Sequence, residues 1–74
     1  MELSKQEKIE MINMHLKSVA ENIFNINMLI IQESAVSPIN QESLDALEKQ
    51  LENTFAKKQA LQNELQKVEN ETGE

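Results

Sequence analysis

Seven apolar residues recur along the first half of the chain at alternating steps of three and four. They are Ile9, Ile12, Leu16, Val19, Ile23, Ile26 and Ile30. Such steps place side chains on one side of an α-helix, and their strict alternation is the a/d pattern of a coiled-coil seam. Because chance rarely sustains this pattern for so long, we predict one long helix that packs against another helix.

A second and weaker seam follows in the other half of the chain. Its apolar members are Leu44, Leu47, Leu51, Leu61, Leu65 and Val68. The same spacing also passes through two polar residues, Thr54 and Lys58. A polar residue in a seam lowers stability but helps to fix the register. We therefore expect a second helix whose packing face is polar in its middle.

Capping signals and the single proline define where the helices begin and end. Ser4 and Glu7 have the spacing of a capping box at the start of the first helix. Pro38 disfavours a helical conformation at the residue before it, so the first helix should end shortly before this proline. Asn40 is the expected N-cap of the second helix. The alternative is Ser37 as the N-cap, with Pro38 in the first helical position.

These signals predict one domain with four parts. They are a helix over residues 5–36, a turn over 37–40, a helix over 41–69 and a frayed acidic tail over 70–74. Two helices of similar length with a short connection fold into an antiparallel hairpin. In that hairpin Ile26 would face Leu47, and Ile9 would face Leu65. The predicted fold class is all-α, an antiparallel and coiled-coil-like two-helix hairpin, which we expect to assemble into a multi-helix bundle.

Several apolar residues of the first helix lie outside the seam. They are Met11, Met14, Phe24, Met28, Leu29 and Ile31. A monomeric hairpin would leave them in water, and exposed apolar patches commonly mark interaction sites. Isoleucine at both a and d positions also favours assemblies of more than two helices. We predict that this surface forms an interface, either between copies of the chain or with a different protein.

The composition argues against catalysis, metal binding and nucleic-acid binding. There is no cysteine, one glycine and a single histidine, His15, so we expect no metal site, no cofactor and no nucleophile–base pair. Thirteen acidic residues outnumber seven basic residues, and none of the basic residues is arginine. The longest apolar stretch, residues 26–31, is far shorter than the roughly 20 residues of a membrane span. We therefore predict a non-enzymatic protein of the cytoplasm that binds neither nucleic acid nor membranes.

The negative charge also permits a different function. Glu42, Asp45, Glu48 and Glu52 lie on a partly shared face of the second helix, interrupted by Lys49. A row of carboxylates can imitate nucleic-acid phosphates. The alternative prediction is an acidic inhibitor of a host enzyme, which could act as a nucleic-acid mimic.

The layout of the chain resembles that of small hypothetical proteins of tailed phages, notably aquatic phages. The stretches that carry this resemblance are residues 3–9 (LSKQEKI), 22–23 (NI), 32–36 (QESAV) and 40–44 (NQESL). The resemblance implies a phage accessory protein in the host cytoplasm or the virion, either a minor structural or assembly component or a host-interaction factor. It brings no catalytic residues. The sequence thus predicts a non-catalytic protein–protein interaction module that self-associates or docks through its first helix.

Overall fold

A computed structural model describes residues 2–71 and contains two long helices. Helix α1 spans Lys5–Ala35 and helix α2 spans Gln41–Glu69. Lys5 and Lys8, at the start of α1, both bind Glu71, just beyond the end of α2, so the helices run antiparallel. The molecule is a rod with dimensions of 59 × 17 × 14 Å. The predicted all-α class and the two-helix hairpin are confirmed.

The start of α1 is stabilised by the predicted capping box. The Ser4 hydroxyl accepts a hydrogen bond from the Glu7 backbone N–H at 3.1 Å. In return, the Glu7 carboxylate accepts one from the Ser4 backbone N–H at 2.8 Å. These two bonds satisfy backbone donors that have no partner within the helix.

The turn between the helices starts one residue earlier than predicted. Helix α1 ends at Ala35, because Val36 already has an extended backbone (φ −85°, ψ 154°) and serves as the C-cap. Asn40 is the N-cap of α2, and its side-chain oxygen accepts a hydrogen bond from the Ser43 backbone N–H at 3.1 Å. Asn40 therefore caps α2, and the alternative start at Ser37 and Pro38 is wrong.

The core lies along the line where the two helices meet. All the apolar seam residues of both helices are buried or half-buried. Val19, Ile26 and Val68 are the most enclosed of them. Of the two polar seam residues, Lys58 is exposed and Thr54 is buried. The core is thin because each helix can cover only one side of the other.

The helices pair about one turn away from the predicted register. A shallow depression on one flank of the hairpin is lined by Ile26 together with Gln50 and Thr54. Ile26 therefore lies beside the stretch of α2 from Gln50 to Lys57, about one turn or more beyond its predicted partner Leu47. A coiled-coil seam permits such a slip because its side chains recur on the same face at every turn.

A displacement of one turn from the predicted register accounts for the burial of Val68. Such a displacement would set Ile9 opposite Val68, whereas the predicted register sets Ile9 opposite Leu65 and leaves Val68 beyond the seam of α1. Val68 is only 4% exposed, which agrees with an apolar residue facing it. The salt bridge between Lys8 Nζ and Glu71 Oε2, 3.5 Å long, closes the hairpin at the same end.

The segment after α2 remains hydrogen-bonded as far as it is described. The Asn70 backbone N–H binds the Gln66 carbonyl, and the Glu71 N–H binds the Val68 carbonyl, both at 3.0 Å. The predicted frayed tail covered residues 70–74, of which residues 72–74 lie outside the described residues.

Candidate interaction surface

The predicted interface residues are not equally exposed. Five of them are open to solvent, with exposed fractions between 45% and 71%: Met11, Met14, Phe24, Leu29 and Ile31. The sixth, Met28, is half-buried. It lies four residues after Phe24 and three before Ile31 on the same face of α1, so neighbours on its own helix can cover part of it.

A second heptad pattern runs along the outer side of α1, away from the seam. Its members are Glu10, Met14, Lys17, Glu21, Phe24, Met28, Ile31 and Ala35, at alternating steps of four and three. The half of this pattern near the start of the helix is mostly charged, whereas the half near the turn is entirely apolar. We call the four apolar residues, Phe24, Met28, Ile31 and Ala35, the outer stripe.

The other predicted interface residues do not join the outer stripe. Met14 belongs to the charged half of the same pattern, ten residues or about 15 Å before Phe24. Leu29 lies on a flank of the hairpin, where it lines the depression that also contains Ile26. Met11 points to that side as well, because a helix turns by about 100° per residue. The six residues therefore form a compact patch near the turn and scattered positions elsewhere.

Four exposed apolar residues were not among the predicted interface residues. They are Leu3, Val36, Ile39 and Phe55. Periodicity could not have indicated the first three, because they lie outside the helices and have no helical phase. Phe55 lies one residue beyond the seam position of Thr54, and this spacing is the sequence signal that places its ring at the edge of the helix pair.

The two flanks of the hairpin differ in chemistry. On one flank, four of the eight residues that line the depression of about 360 Å³ carry amide side chains: Asn22, Asn25, Gln50 and Asn53. Phe24 and Phe55 lie on the side away from this depression, given the rotation of about 100° per residue. They are the only aromatic residues of the chain and are 61% and 48% exposed. The hairpin thus has one amide-rich flank and one aromatic flank.

A second shallow depression lies beside the outer stripe. It has a volume of about 460 Å³ and is lined by Lys17, Ala20, Glu21, Phe24 and Asn25. The small side chain of Ala20 leaves space next to the Phe24 ring. The outer side of α1 therefore offers a hollow where its apolar half meets its charged half.

Charge is absent from the part of α1 that carries most of the outer stripe. Residues 22–32 contain no charged side chain, although charged residues make up 27% of the chain and its net charge is −6. Within residues 2–71 the two salt bridges lie elsewhere, between Lys8 and Glu71 and between Lys67 and Glu64. A partner that binds at this surface would therefore not have to desolvate charged side chains.

The described residues offer no arrangement suited to metal chemistry. Between residues 2 and 71, no group of three or more histidine, cysteine, aspartate or glutamate side chains is placed to hold a metal ion. His15, the only histidine, is exposed on α1. Over the same residues, neither helix combines the length and the apolar character that crossing a membrane requires.

Comparison with known proteins identifies no relative of this chain. No protein-family model, no curated protein and no solved structure matches the chain.

Proposed function

We propose that the chain is a non-catalytic protein–protein interaction module that self-associates through the turn-proximal part of α1, so that hairpins assemble into a multi-helix bundle. The observation that carries this proposal is the exposed outer stripe on a stretch of helix without charge. An apolar patch of this kind on an otherwise polar surface is typical of an interaction site.

The surface area of the chain supports the same proposal. A compact monomer of 8.5 kDa would expose about 4,650 Å², whereas this hairpin exposes 5839 Å². The excess of roughly 1,200 Å² is comparable to the roughly 800 Å² that one partner buries in a standard protein interface. Pairing with a second hairpin would let this chain cover the surface that a single helix pair leaves open.

The biological setting that we propose is phage assembly. The support is the resemblance of the chain's layout to small proteins of tailed phages, together with a size and surface suited to binding rather than catalysis. In this setting the protein is a small structural or assembly accessory component, present in the host cytoplasm or in the virion.

The self-association is tested by sedimentation equilibrium from about 5 to 500 μM, a range that brackets weak interfaces. We expect the wild-type mass to rise with concentration. The double variant Phe24→Glu/Ile31→Glu should remain monomeric, because two carboxylates would have to be buried. The mean residue ellipticity at 222 nm should show that this variant stays helical.

A matched control separates the position of the charges from their number. Ala56→Glu/Asn63→Glu places two charges seven residues apart on the exposed outer side of α2. This control should associate as the wild type does. A wild-type chain that stays monomeric over the whole range would contradict the proposal.

A second candidate function is supported by the acidic face of α2. Glu42, Asp45, Glu48 and Glu52 are all exposed, and none of them takes part in the two salt bridges found within residues 2–71. Such carboxylates are available to a basic partner, as in an acidic inhibitor of a host enzyme. Neutralising them to glutamine and asparagine should abolish salt-sensitive binding to a DNA-handling enzyme but leave binding to purified virions unchanged.

A further inference from the structure

We propose that two copies of the chain pair through their outer stripes in an antiparallel, two-fold symmetric arrangement, with the axis between Met28 and Ile31. In this arrangement α1 of one copy lies against α1 of the other. The inference rests on the proposed self-association and adds its geometry, and the experiment below separates failure of one from failure of the other.

The length of the apolar half determines how far the two helices can overlap. The outer stripe runs from Phe24 to Ala35, a stretch of twelve residues that measures about 17 Å from its first to its last residue. Beyond it, the same face of α1 presents Glu21 and Lys17. A partner helix that overlapped the whole of α1 would therefore have to cover charged side chains, whereas one that overlaps only the outer stripe would not.

One antiparallel register matches the outer stripe to itself. It sets Phe24 opposite Ala35 of the second copy and Met28 opposite Ile31 of the second copy. By two-fold symmetry this makes four apolar layers, with the largest side chain over the smallest. Antiparallel coiled helices form such layers from positions that alternate by three and four residues.

The competing arrangements bring charge into the contact. Shifting the antiparallel pair by one heptad sets Ile31 against Glu21 of the second copy and leaves two apolar layers. A parallel pair in register sets Phe24 against Phe24 and then Glu21 against Glu21. It also aligns two chains of net charge −6 along their full length, which adds repulsion. The antiparallel register limits the overlap to the part of each hairpin near its turn.

The same register accounts for the hollow beside Phe24 and for the exposed residues of the turn. When Ala35 of the second copy lies opposite Phe24, its following residues pass over the depression lined by Ala20 and Phe24. Val36 and Ile39 of the second copy, each about half exposed in a single hairpin, then enter this region. Phe55 is near the same level on the aromatic flank, because its neighbour Thr54 lies beside residues 22–29 of α1.

The geometry is tested by distance measurements between spin labels. The chain has no cysteine, so Lys17→Cys gives one labelling site per copy, exposed and outside the outer stripe. The proposed register places the two labels about 39 Å apart, from a rise of 1.5 Å per residue and a helix separation near 10 Å. The shifted antiparallel register predicts about 29 Å, and a parallel pair predicts less than about 20 Å.

A label at Gln32→Cys provides the complementary distance. It lies near the proposed axis, so its two copies should be closer than about 20 Å, while the Lys17 labels are far apart. Diluting labelled chains with a large excess of unlabelled chain should remove both signals, which shows that they arise between copies. Sedimentation of each labelled variant checks that it still associates.

Exchange of the two facing residues tests the same register without a label. Phe24→Ala and Ala35→Phe, each made alone, should weaken association by about tenfold, because one leaves a void and the other overfills a layer. The double variant Phe24→Ala/Ala35→Phe should recover most of the loss. A chain that does not associate overturns the proposed function as well, whereas association with short Lys17 distances or without recovery overturns only this geometry.

Discussion

A hydroxyl group at position 54 takes a place that the seam otherwise fills mostly with aliphatic side chains. Thr54 is 7% exposed, and its Oγ1 donates a hydrogen bond to the Gln50 carbonyl at 2.8 Å. That carbonyl already belongs to the hydrogen-bonding pattern of α2, since a helix pairs each N–H with the carbonyl four residues before it. The helix thus satisfies the hydroxyl locally, and no polar partner from α1 is needed.

We expect Thr54→Val to leave the free energy of unfolding unchanged or to raise it by up to about 1 kcal/mol. Valine keeps the branched shape, and the lost hydroxyl leaves no unsatisfied partner. Thr54→Asp should lower the same free energy by more than about 2 kcal/mol, because it buries a charge without a partner. Urea titrations followed by circular dichroism measure both values.

Asn53→Val serves as the neighbouring control, because Asn53 is exposed. It should change stability by no more than about 0.5 kcal/mol. A clear loss of stability in Thr54→Val would show that the hydroxyl itself contributes to the packing between the helices.

The two helices differ in the number of apolar faces that they carry. Helix α2 has one apolar face, which is occupied by α1, and its other sides carry mostly polar and charged residues. Helix α1 has the seam and, on its outer side near the turn, the outer stripe. Because a helix within a hairpin touches only one neighbour, its second apolar face stays open until another helix covers it.

At the level of the helix pair, the register makes a prediction of its own. A disulfide should close faster in the double variant Leu16→Cys/Leu61→Cys than in Leu16→Cys/Lys58→Cys. The depression that joins residues 22–29 to residues 50–57 and the Lys8–Glu71 salt bridge place Leu16 nearer position 61, whereas the register predicted from the sequence has it face position 58. A disulfide needs its two Cα atoms within about 7 Å, so a displacement by one turn slows its formation.

The rates are measured by gel shift during air oxidation at low protein concentration, which suppresses cross-links between copies. Each single-cysteine variant is the control and should give no intrachain product. Faster disulfide formation in Leu16→Cys/Lys58→Cys would contradict this expectation and would support the register predicted from the sequence.

The whole molecule is a rod with a thin core. Within residues 2–71 no large side chain is completely buried, and only Val19, Ile26, Val68 and Thr54 are nearly enclosed. The side chains of the salt bridge between Lys8 and Glu71 at the open end are 38% and 47% exposed, so this bridge adds at most about a few tenths of a kcal/mol. The stability of such a rod depends on whether a second copy covers its outer side.

The melting temperature should therefore rise with protein concentration. Association stabilises the folded state because unfolded chains do not form the interface. We expect an increase of several degrees between about 5 and 500 μM for the wild type, measured by circular dichroism. The charged variant Phe24→Glu/Ile31→Glu should melt at one temperature over this range.

The control Ala56→Glu/Asn63→Glu should keep the concentration dependence of the wild type. If the wild type melts at the same temperature at every concentration, the folded chain does not associate under these conditions, and the proposed interaction surface would need a different partner.

Local sequence patterns were sufficient to determine the helices and their packing faces. The heptad spacing, the capping box at Ser4 and the interruption at Pro38 act through neighbours within a few residues, so the hairpin and its seam could be read from the chain. Most of the outer stripe was visible for the same reason, since Phe24, Met28 and Ile31 share one helix phase.

Only the tertiary structure decided the register and the grouping of the exposed residues. Two registers one turn apart satisfy the same heptad pattern, and the choice between them depends on which side chains meet across the pair, as the burial of Val68 near the end of α2 shows. The separation of Leu29 and Met11 from the outer stripe, and the position of Phe55 on the flank of Phe24, also depend on how α2 lies against α1. Periodicity determines the direction in which a side chain leaves its own helix. The neighbours of that side chain and its exposure depend on how the two helices lie against each other.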